Sequence, residues 1–282
     1  MKLTDQIDRH AGLGREEFER EYLYPLRPVI LTDAIAHWPA LGKWTPQFFK
    51  ENHGHLQVEV DGETMALRDL IDRVEASTDD NPAPYLRNQP LAKWPSELLA
   101  DVSPMPQCTR PNWLESRFFP SGKNLSSVEA YIGGHGARFP VLHYDGLHTH
   151  AFLMQLYGEK EYIAFSPEQT AFIYPRDATA NTSQITDLLH PDLAEFPLFE
   201  QAQGIRFELH PGETLFVPSG WWHTARILSP SVTVSINGVN RSNYSAFRSD
   251  YCDAIAERSR LRGLVASVGL TVGSATHLFE LM

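Results

Sequence analysis

Cysteine is scarce in this chain. Only Cys108 and Cys252 occur among 282 residues, without a CxxC spacing, so they form neither a disulfide framework nor a zinc cluster by themselves. Long apolar runs are also missing, because no stretch approaches the ~20 residues that cross a bilayer. The polar start MKLTDQIDRHAG lacks the apolar core of a secretory signal. We therefore expect a cytoplasmic protein in a reducing compartment, with no membrane partner.

Positive charge is in deficit as well, with 24 basic against 35 acidic residues and a formal net charge of −11. This field repels phosphate backbones, so we expect no duplex nucleic acid partner. A local basic groove stays possible, and an acidic surface also serves solubility alone. The chain does have apolar residues: 42% hydrophobic and 11% aromatic residues can build one large β-barrel domain or two small domains.

The sequence pattern changes along the chain. Segments 15–23, 45–52 and 67–76 place charged and apolar residues at helical spacing, which predicts helices in the first third. From about 126 to 240, short apolar segments alternate with glycine and proline turns, a pattern typical of a barrel or jelly roll. The fold class that this indicates is mainly β, with helices before the barrel and after it.

Two features of the barrel region concern its connections. Phe152–Tyr157 and Glu161–Phe165 flank the turn Gly158-Glu159-Lys160, which predicts a hairpin. The stretch 166–205 is predicted to be a long polar insertion between two strands. Long loops on a rigid barrel are usual places for substrate contacts.

The strand predicted at 231–239 alternates in a period of two. Val232, Val234 and Ile236 face one way. Thr233, Ser235 and Asn237 face the other way, so Ser235 and Asn237 share one face of the strand.

After residue 240 the pattern returns to helix. An apolar stripe runs through 243–268 and consists of Phe247, Tyr251, Ala254, Ile255, Leu261, Leu264 and Val268. We therefore divide the chain into a barrel domain, 1–240, and a C-terminal helical segment, 241–282. The stripe either packs on the chain's own barrel or forms a homodimer interface.

His143 and Asp145 form an HxD pair. In a strand, residues two apart project to the same face, so their side chains would converge on one point inside the barrel. By itself the pair is more often an incidental polar pair at a strand edge. Stronger support comes 80 residues later, where GETLFVPSGWWH combines a turn, an apolar strand and a Pro-x-Gly corner that presents His223.

These two segments resemble the two sequence motifs of the cupin superfamily, with HxD where many cupins carry HxH. The resemblance implies a metal site on His143, Asp145 and His223. Two histidines and one carboxylate leave coordination positions open, which suits iron(II).

Other residues near the motifs have open roles. His148 and His150 form an HxH pair that could supply alternative ligands, but we expect them in the loop at the pocket mouth, as substrate contacts or surface residues. Trp221 and Trp222 either line the cavity or pack beneath its mouth. Lys160 lies between the apolar segments QLYG and EYIAFSP, so we expect it to point inward and pair with an anion instead of being solvated.

The ordered set HYD…LYGEKEYIAFSPEQ…YP and PGETLFVPSGWWH…SINGVN resembles the JmjC-type (cupin-like) 2-oxoglutarate oxygenases. The resemblance is closest to the small JmjC hydroxylases, such as the asparaginyl hydroxylase that acts on hypoxia-inducible factor. It extends to RPVILTDAIAHWPALGKWTPQFF and PYLRNQPL, and so covers roughly residues 15–240. The order of the motifs is more specific than any one of them.

The resemblance implies a cupin barrel, also called a double-stranded β-helix, in which the three residues of the metal site bind iron(II). It makes Lys160 the partner of the distal carboxylate of 2-oxoglutarate, with help from the hydroxyl of Tyr85. Ser235 and Asn237 match further contacts of this co-substrate. The implied reaction uses O2 to hydroxylate a peptide, a protein or an amino-acid-like small molecule.

The chain departs from its apparent family at a few positions. Many relatives have Ser or Thr where Pro140 stands, three residues before the first ligand. Many have asparagine shortly after the HxD, where the matches here are Thr149 or Leu153. These departures put the smaller co-substrate contacts and the substrate in doubt.

Three other functions compete with this hypothesis. A metal cupin of another class, such as an isomerase or a 2-oxoglutarate-independent dioxygenase, needs no anchor like Lys160 with Tyr85. A JmjC-type N-methyl demethylase would use the same chemistry. A non-catalytic binding cupin would have no reason to keep all three ligands.

Overall fold

A computed structural model describes residues 1–116, 119, 127–177, 180–276 and 279, and gives only the backbone of residues 258 and 260–262. Its strands are β1 (Lys2–Thr4), β2 (Asp8–His10), β3 (Val29–Leu31), β4 (Gln57–Val60), β5 (Glu63–Ala66), β6 (Leu86–Pro90), β7 (Glu129–Gly133), β8 (His150–Tyr157), β9 (Lys160–Phe165), β10 (Gln203–Leu209), β11 (Thr214–Val217), β12 (Trp222–Ile227) and β13 (Ser231–Gly238). Its α-helices are α1 (Arg15–Phe18), α2 (Pro46–His53), α3 (Leu67–Glu75), α4 (Ser96–Asp101), α5 (Thr170–Ile173), α6 (Tyr244–Arg258) and α7 (Arg260–Ala275). A π-helical turn, Glu19–Leu23, continues α1.

Two sheets form the barrel. The larger sheet has the order β2-β3-β11-β8-β13-β7-β6, and the smaller has the order β1-β10-β9-β12. Within each sheet the pairing is antiparallel, apart from β1 with β10 and β2 with β3. The predicted cupin fold, a β-helical barrel with flanking helices, is confirmed.

Alternate residues along the strands face the barrel interior on one side and an outer core on the other. On β13, Val232, Val234 and Ile236 join the outer core together with Phe49 of α2 and Leu70 of α3. The other face of β13 carries Ser235 and Asn237, which line the cavity inside the barrel. The period-of-two prediction for this strand is therefore confirmed.

The N-terminal helices form where their apolar spacing predicted them, and their buried side chains join the core on the outer face of the larger sheet. At the start of α2, the hydroxyl of Thr45 accepts a hydrogen bond from the backbone of Phe48 at 3.0 Å, and Pro46 is the first helical residue. This cap satisfies one of the free N–H groups at the helix start.

The predicted hairpin between β8 and β9 is wrong. β8 pairs with β11 and β13 in the larger sheet, whereas β9 pairs with β10 and β12 in the smaller one. The two-residue connection carries the chain from one sheet to the other. Gly158 at this crossing has φ 68°, and a Cβ there would lie 1.9 Å from the carbonyl oxygen of Pro230. Only glycine allows this close approach.

The insertion between β9 and β10 is not the purely polar loop that we predicted. Five of its apolar side chains are buried and form a core against Phe165 and Trp222; they are Ile173, Ile185, Leu188, Phe196 and Phe199. Residues 178–179 of the insertion lie outside the described part. The insertion therefore folds as a layer on the smaller sheet.

The predicted C-terminal helical segment consists of two helices, α6 and α7, which are separated at Ser259. The predicted stripe is divided between them: Phe247 is buried, whereas Leu264 and Val268 are exposed and the side chain of Leu261 lies outside the described residues. The domain boundary at residue 240 stays a prediction. Among the described residues, no helix has the length and apolar character to span a bilayer.

Candidate active site

The HxD segment lies beside the start of β12. His143 forms isolated bridges with His223 and Thr182, and its backbone exchanges hydrogen bonds with that of His223 at 3.1 and 2.6 Å. The segment is thus extended, but it is not part of a regular strand. Asp145 follows in extended conformation and precedes the 3-10 turn Gly146–His148. These local structures bring the three predicted metal ligands together.

Both imidazole rings are oriented by backbone carbonyls. Nδ1 of His143 lies 3.2 Å from the carbonyl oxygen of Val141, and Nδ1 of His223 lies 2.9 Å from that of Trp221. A carbonyl accepts only from N–H, so Nδ1 of each ring carries a proton and Nε2 is left as the candidate ligand atom. One ligand atom from each of His143, Asp145 and His223 lies within 4.8 Å of the others.

Burial sets the charge of these groups. Desolvation, assisted by His223, lowers the pKa of His143 to about 3, so the ring is neutral at neutral pH and able to bind a metal. Burial raises the pKa of Asp145, while His223 opposes this shift. Phe139 stacks on the His143 ring with centroids 4.2 Å apart, which fixes the ring from outside. A carboxylate beside two histidines fits a divalent cation with open positions, as in non-haem iron(II) sites.

Lys160 lies at the other end of the same interior. Its side chain is fully buried, and Nζ donates a hydrogen bond to the hydroxyl of Tyr85 at 2.8 Å. Nζ also lies 5.2 and 5.7 Å from the ring centroids of Tyr85 and Tyr131. Burial lowers the pKa of Lys160 to about 7, and no carboxylate of the described residues forms an ion pair with it. A buried ammonium without an anion fits an anionic ligand.

The position of Lys160 in the sheet determines its distance from the HxD segment. Its strand, β9, does not adjoin the HxD segment, because β12 lies between them. On the paired strands Lys160 is opposite Ile227, whereas His223 is opposite Ala164. This offset of four residues separates the lysine backbone from the metal ligands by roughly 13 Å along the sheet. An extended dicarboxylate together with the lysine side chain can bridge that separation.

A cavity lies over these groups. It is lined by the three metal-site residues and by the predicted co-substrate residues Tyr85, Ser235 and Asn237. Sequence reasoning missed nine other lining residues, namely Asn88, Glu129, Tyr131, Phe139, Gly146, Ala151, Tyr162, Thr224 and Ala225. The spacing of two from Lys160 to Tyr162, on one face of β9, could have revealed the tyrosine. Two residues were proposed to match the family's asparagine, and only Leu153 of these lines the cavity. Thr149 is buried outside the cavity, and its hydroxyl donates a hydrogen bond to the carbonyl of Gly146.

The structure shows the positions of the four residues near the motifs whose roles the sequence left open. His150 is buried within β8, not in a mouth loop, and bonds to Ser242 and to the backbone of Ser219. His148 is half-buried in the turn after Asp145 and bonds to Asp250. Trp221 and Trp222 both pack outside the cavity, with their indole N–H groups donating to Leu26 and Thr170.

Pro140 is exposed and lies outside the cavity lining, so it offers no substitute for the hydroxyl that relatives carry there. The lining residues with hydroxyl groups are instead Thr224, Ser235 and the tyrosines.

Comparison with known proteins agrees with this geometry. The profile of the cupin-like domain family matches residues 15–239. The chain belongs to the cupin-like family. This cupin-like chain is 29% identical over 257 residues to the lysine-specific demethylase JMJ30 of Arabidopsis thaliana, covering 86% of the chain and 56% of that protein. It is 32% identical over 233 residues to lysine-specific demethylase 8 of Xenopus tropicalis, covering 78% and 50%.

A third relative is the human bifunctional peptidase and (3S)-lysyl hydroxylase JMJD7, 28% identical over 249 residues, with 73% of the cupin-like chain and 75% of that protein covered. These names confirm the JmjC resemblance that the motifs indicated. The cupin-like chain spans about half the length of the two demethylases.

Proposed function

We propose that the chain is an iron(II)- and 2-oxoglutarate-dependent oxygenase that hydroxylates a peptide, a protein or an amino-acid-like molecule. The observation that carries the proposal is the pairing of two sites in one interior. A His-Asp-His cluster lies at one end, and a buried lysine to which the described residues supply no ion-pair partner lies at the other. Only a co-substrate that chelates a metal and also carries an anionic group needs both of these sites.

The chain's residues would act mainly by holding and orienting. Nε2 of His143 and of His223, with the carboxylate of Asp145, would bind iron(II). Lys160, supported by the hydroxyl of Tyr85, would bind the distal carboxylate of 2-oxoglutarate, with Ser235 and Asn237 beside it. Iron(II) with this co-substrate and O2 supplies the power to oxidise an unactivated C–H bond.

The apolar part of the cavity wall would serve a second purpose. Phe139, Ala151 and Leu153 are apolar residues of the cavity lining. They would exclude water, so the substrate carbon faces the metal in a dry space.

N-methyl demethylation is the second candidate. It is supported by relatives whose names describe lysine-specific demethylases, whereas the lysyl hydroxylase supports hydroxylation. Both reactions begin with the same C–H hydroxylation, and they differ in whether the hydroxylated carbon is attached to nitrogen. The chain's own site is compatible with both.

Turnover of 2-oxoglutarate to succinate, with and without iron(II), tests the proposal. A peptide and metabolite screen would then follow mass: a gain of about 16 Da indicates hydroxylation, and a loss of about 14 Da with release of formaldehyde indicates demethylation. If the iron-loaded protein neither binds 2-oxoglutarate nor produces succinate, a metal cupin of another class replaces the oxygenase.

A further inference from the structure

A second cavity, separate from the active site, has an excess of positive charge. Three segments of the chain meet there, and they contribute Arg15 with Glu19, Arg110 with Trp113, and Arg241 to its lining. None of its lining residues lines the active-site cavity. Three arginines therefore face one carboxylate in a chain whose formal net charge is −11. This cavity attracts anions, whereas the field of the whole protein repels them.

The ion pairs of the arginines do not remove this excess. Arg15 pairs with Glu19 at 2.8 Å, but half of the arginine side chain is exposed, so the pair contributes little. Arg110 pairs with Glu115, which is not a lining residue. Arg241 is exposed, and within the described part of the chain no carboxylate pairs with it. A guanidinium has five N–H donors, and one carboxylate satisfies only some of them.

Trp113 contributes a buried donor that lacks an acceptor. Its side chain is 4% exposed, and its indole N–H has no hydrogen-bond partner among the described residues. The ring packs against Tyr244 with centroids 5.1 Å apart, and the backbone N–H donates to the carbonyl of Val239 at 2.7 Å. A buried N–H without an acceptor is unfavourable and uncommon. An anion bound against this wall would bring an acceptor next to it.

Buried hydrogen bonds hold two of the arginines on one frame. The side-chain oxygen of Asn112 accepts from the backbone of Val239 at 3.1 Å, and its nitrogen donates to the carbonyl of Asn237 at 2.8 Å. These bonds join the segment of Arg110 to the strand end that precedes Arg241. Only side chains then need to be ordered when a ligand binds, which lowers the cost of binding.

The donors and charges of the cavity fit a phosphoryl group. Three arginines and Glu19 leave an excess of two positive charges in the lining, which matches a dianion better than a carboxylate. Phosphoryl oxygens also accept the paired N–H groups of a guanidinium in bidentate geometry. The ring of Tyr24 lies in the lining and is 53% exposed. It offers an apolar surface to an organic group attached to the phosphate.

We propose that this cavity binds a phosphoryl dianion, either free phosphate or a small phosphomonoester. The guanidinium groups of Arg15, Arg110 and Arg241 bind its oxygens, and Tyr24 contacts the organic group of a monoester. The site is independent of the proposed oxygenase reaction, because it shares no lining residue with the active-site cavity.

Titration of the full-length protein with small anions tests the inference. The probes are phenyl phosphate and inorganic phosphate, both dianions at about pH 8, with benzoate as a monoanion that carries the same ring. Calorimetry at constant ionic strength measures the affinities. The six tryptophans give separate indole N–H signals in a nitrogen–proton correlation spectrum, and the signal missing in Trp113→Phe is that of Trp113. Because this indole lines the cavity, its signal should move most.

Phenyl phosphate should bind saturably and roughly tenfold more tightly than benzoate, and Arg241→Gln should weaken its binding by about tenfold. Arg241→Lys keeps the charge without the planar fork and should recover part of the loss. Arg73→Gln, at an exposed arginine of α3, is the matched control and should bind as the wild type does. Equal affinities for the two phosphates would identify free phosphate as the ligand, and tighter binding of phenyl phosphate would identify a monoester.

Absence of saturable phosphate binding, or an unchanged affinity in Arg241→Gln, would overturn the inference. Binding that is lost in Lys160→Met but kept in Arg241→Gln would also overturn it, because the anion would then occupy the proposed co-substrate site. Arg241→Gln changes an exposed side chain, so the variant should fold. Trp113→Phe serves only for assignment, and calorimetry decides the outcome if that variant does not fold.

Discussion

Nδ1 of His148 lies 2.6 Å from Oδ2 of Asp250, which connects helix α6 to the turn that follows Asp145. The side-chain amide of Asn243 also donates to the carbonyl of His148 at 3.0 Å. Leu147 and His148 both have left-handed backbone, with φ of 57° and 48°, which costs energy for residues with a Cβ. The C-terminal segment therefore holds a strained turn at the proposed metal site.

The first prediction concerns this connection. Asp250→Ala should weaken iron(II) binding by roughly 3–10-fold, because the turn that orients Asp145 loses a partner. Asp250→Asn keeps a hydrogen-bond acceptor and should restore much of the affinity. Iron titration measures the effect, with Asp253→Ala as control at an exposed position of α6. Equal affinity in Asp250→Ala would show that the turn holds Asp145 without the helix.

The second prediction concerns the metal ligands. His143→Ala or His223→Ala should abolish stoichiometric iron(II) binding, because the two remaining ligands bind iron weakly. Metal analysis after gel filtration measures it. His190→Ala, at an exposed histidine, should keep one iron per chain. Full occupancy in the double variant of His143 and His223 would contradict the ligand assignment.

The third prediction concerns the buried ammonium. Lys160→Met should weaken 2-oxoglutarate binding by ~30-fold or more, since a charge-assisted bond in a dry pocket contributes ~2–5 kcal/mol. Iron content should not change, because Lys160 is not near the ligand atoms. Tyr85→Phe should give a smaller loss in the same direction. Calorimetric titration measures both, and parental affinity in Lys160→Met would place the anchor elsewhere.

The fourth prediction is a pH dependence with a defined sign. Burial lowers the pKa of Lys160 to about 7, so the free protein carries the charged lysine below pH 7 and loses it above. Affinity for 2-oxoglutarate should therefore be constant below that pH and fall by up to about tenfold per pH unit above it. Tyr85 and Tyr131, which face the ammonium, have pKa values raised by burial and stay neutral throughout. Lys160→Met should show a weak affinity that does not follow this slope; the same slope in both proteins would exclude the lysine as its cause.

The fifth prediction concerns assembly, and we propose a homodimer through α7. Four apolar side chains of this helix are more than half exposed, namely Leu264, Val265, Val268 and Val272. Light scattering should show a dimer for the intact protein and a monomer for the double variant Leu264→Asp with Val268→Asp. Ser249→Asp, which adds a charge at an exposed position of α6, should remain dimeric. A monomeric parent protein would exclude the dimer.

Much of the barrel could be predicted from the sequence because the patterns that indicate it lie within short segments. Alternation on β13 depends on neighbouring residues only, and the segment that presents His223 combines a turn, a strand and a corner within 12 residues. The resemblance of two short segments to the cupin motifs implied the ligand set His143, Asp145 and His223, and its binding of a metal stays a prediction. The location in the cytoplasm stays a prediction, as do the substrate and the division at residue 240.

The tertiary structure decided the contacts between residues that lie far apart in the chain. The connection at Gly158, where the chain passes from one sheet to the other, has the local sequence of a hairpin. Only the strands with which β8 and β9 pair distinguish a hairpin from such a crossing. The bonds from Lys160 to Tyr85 and from His148 to Asp250 join residues 75 and 102 positions apart. Glu129 reaches the cavity because β7 pairs with β13 in one register, and a shift of one residue would turn it outward. Such registers are set by packing across the whole barrel, which no short segment of sequence contains.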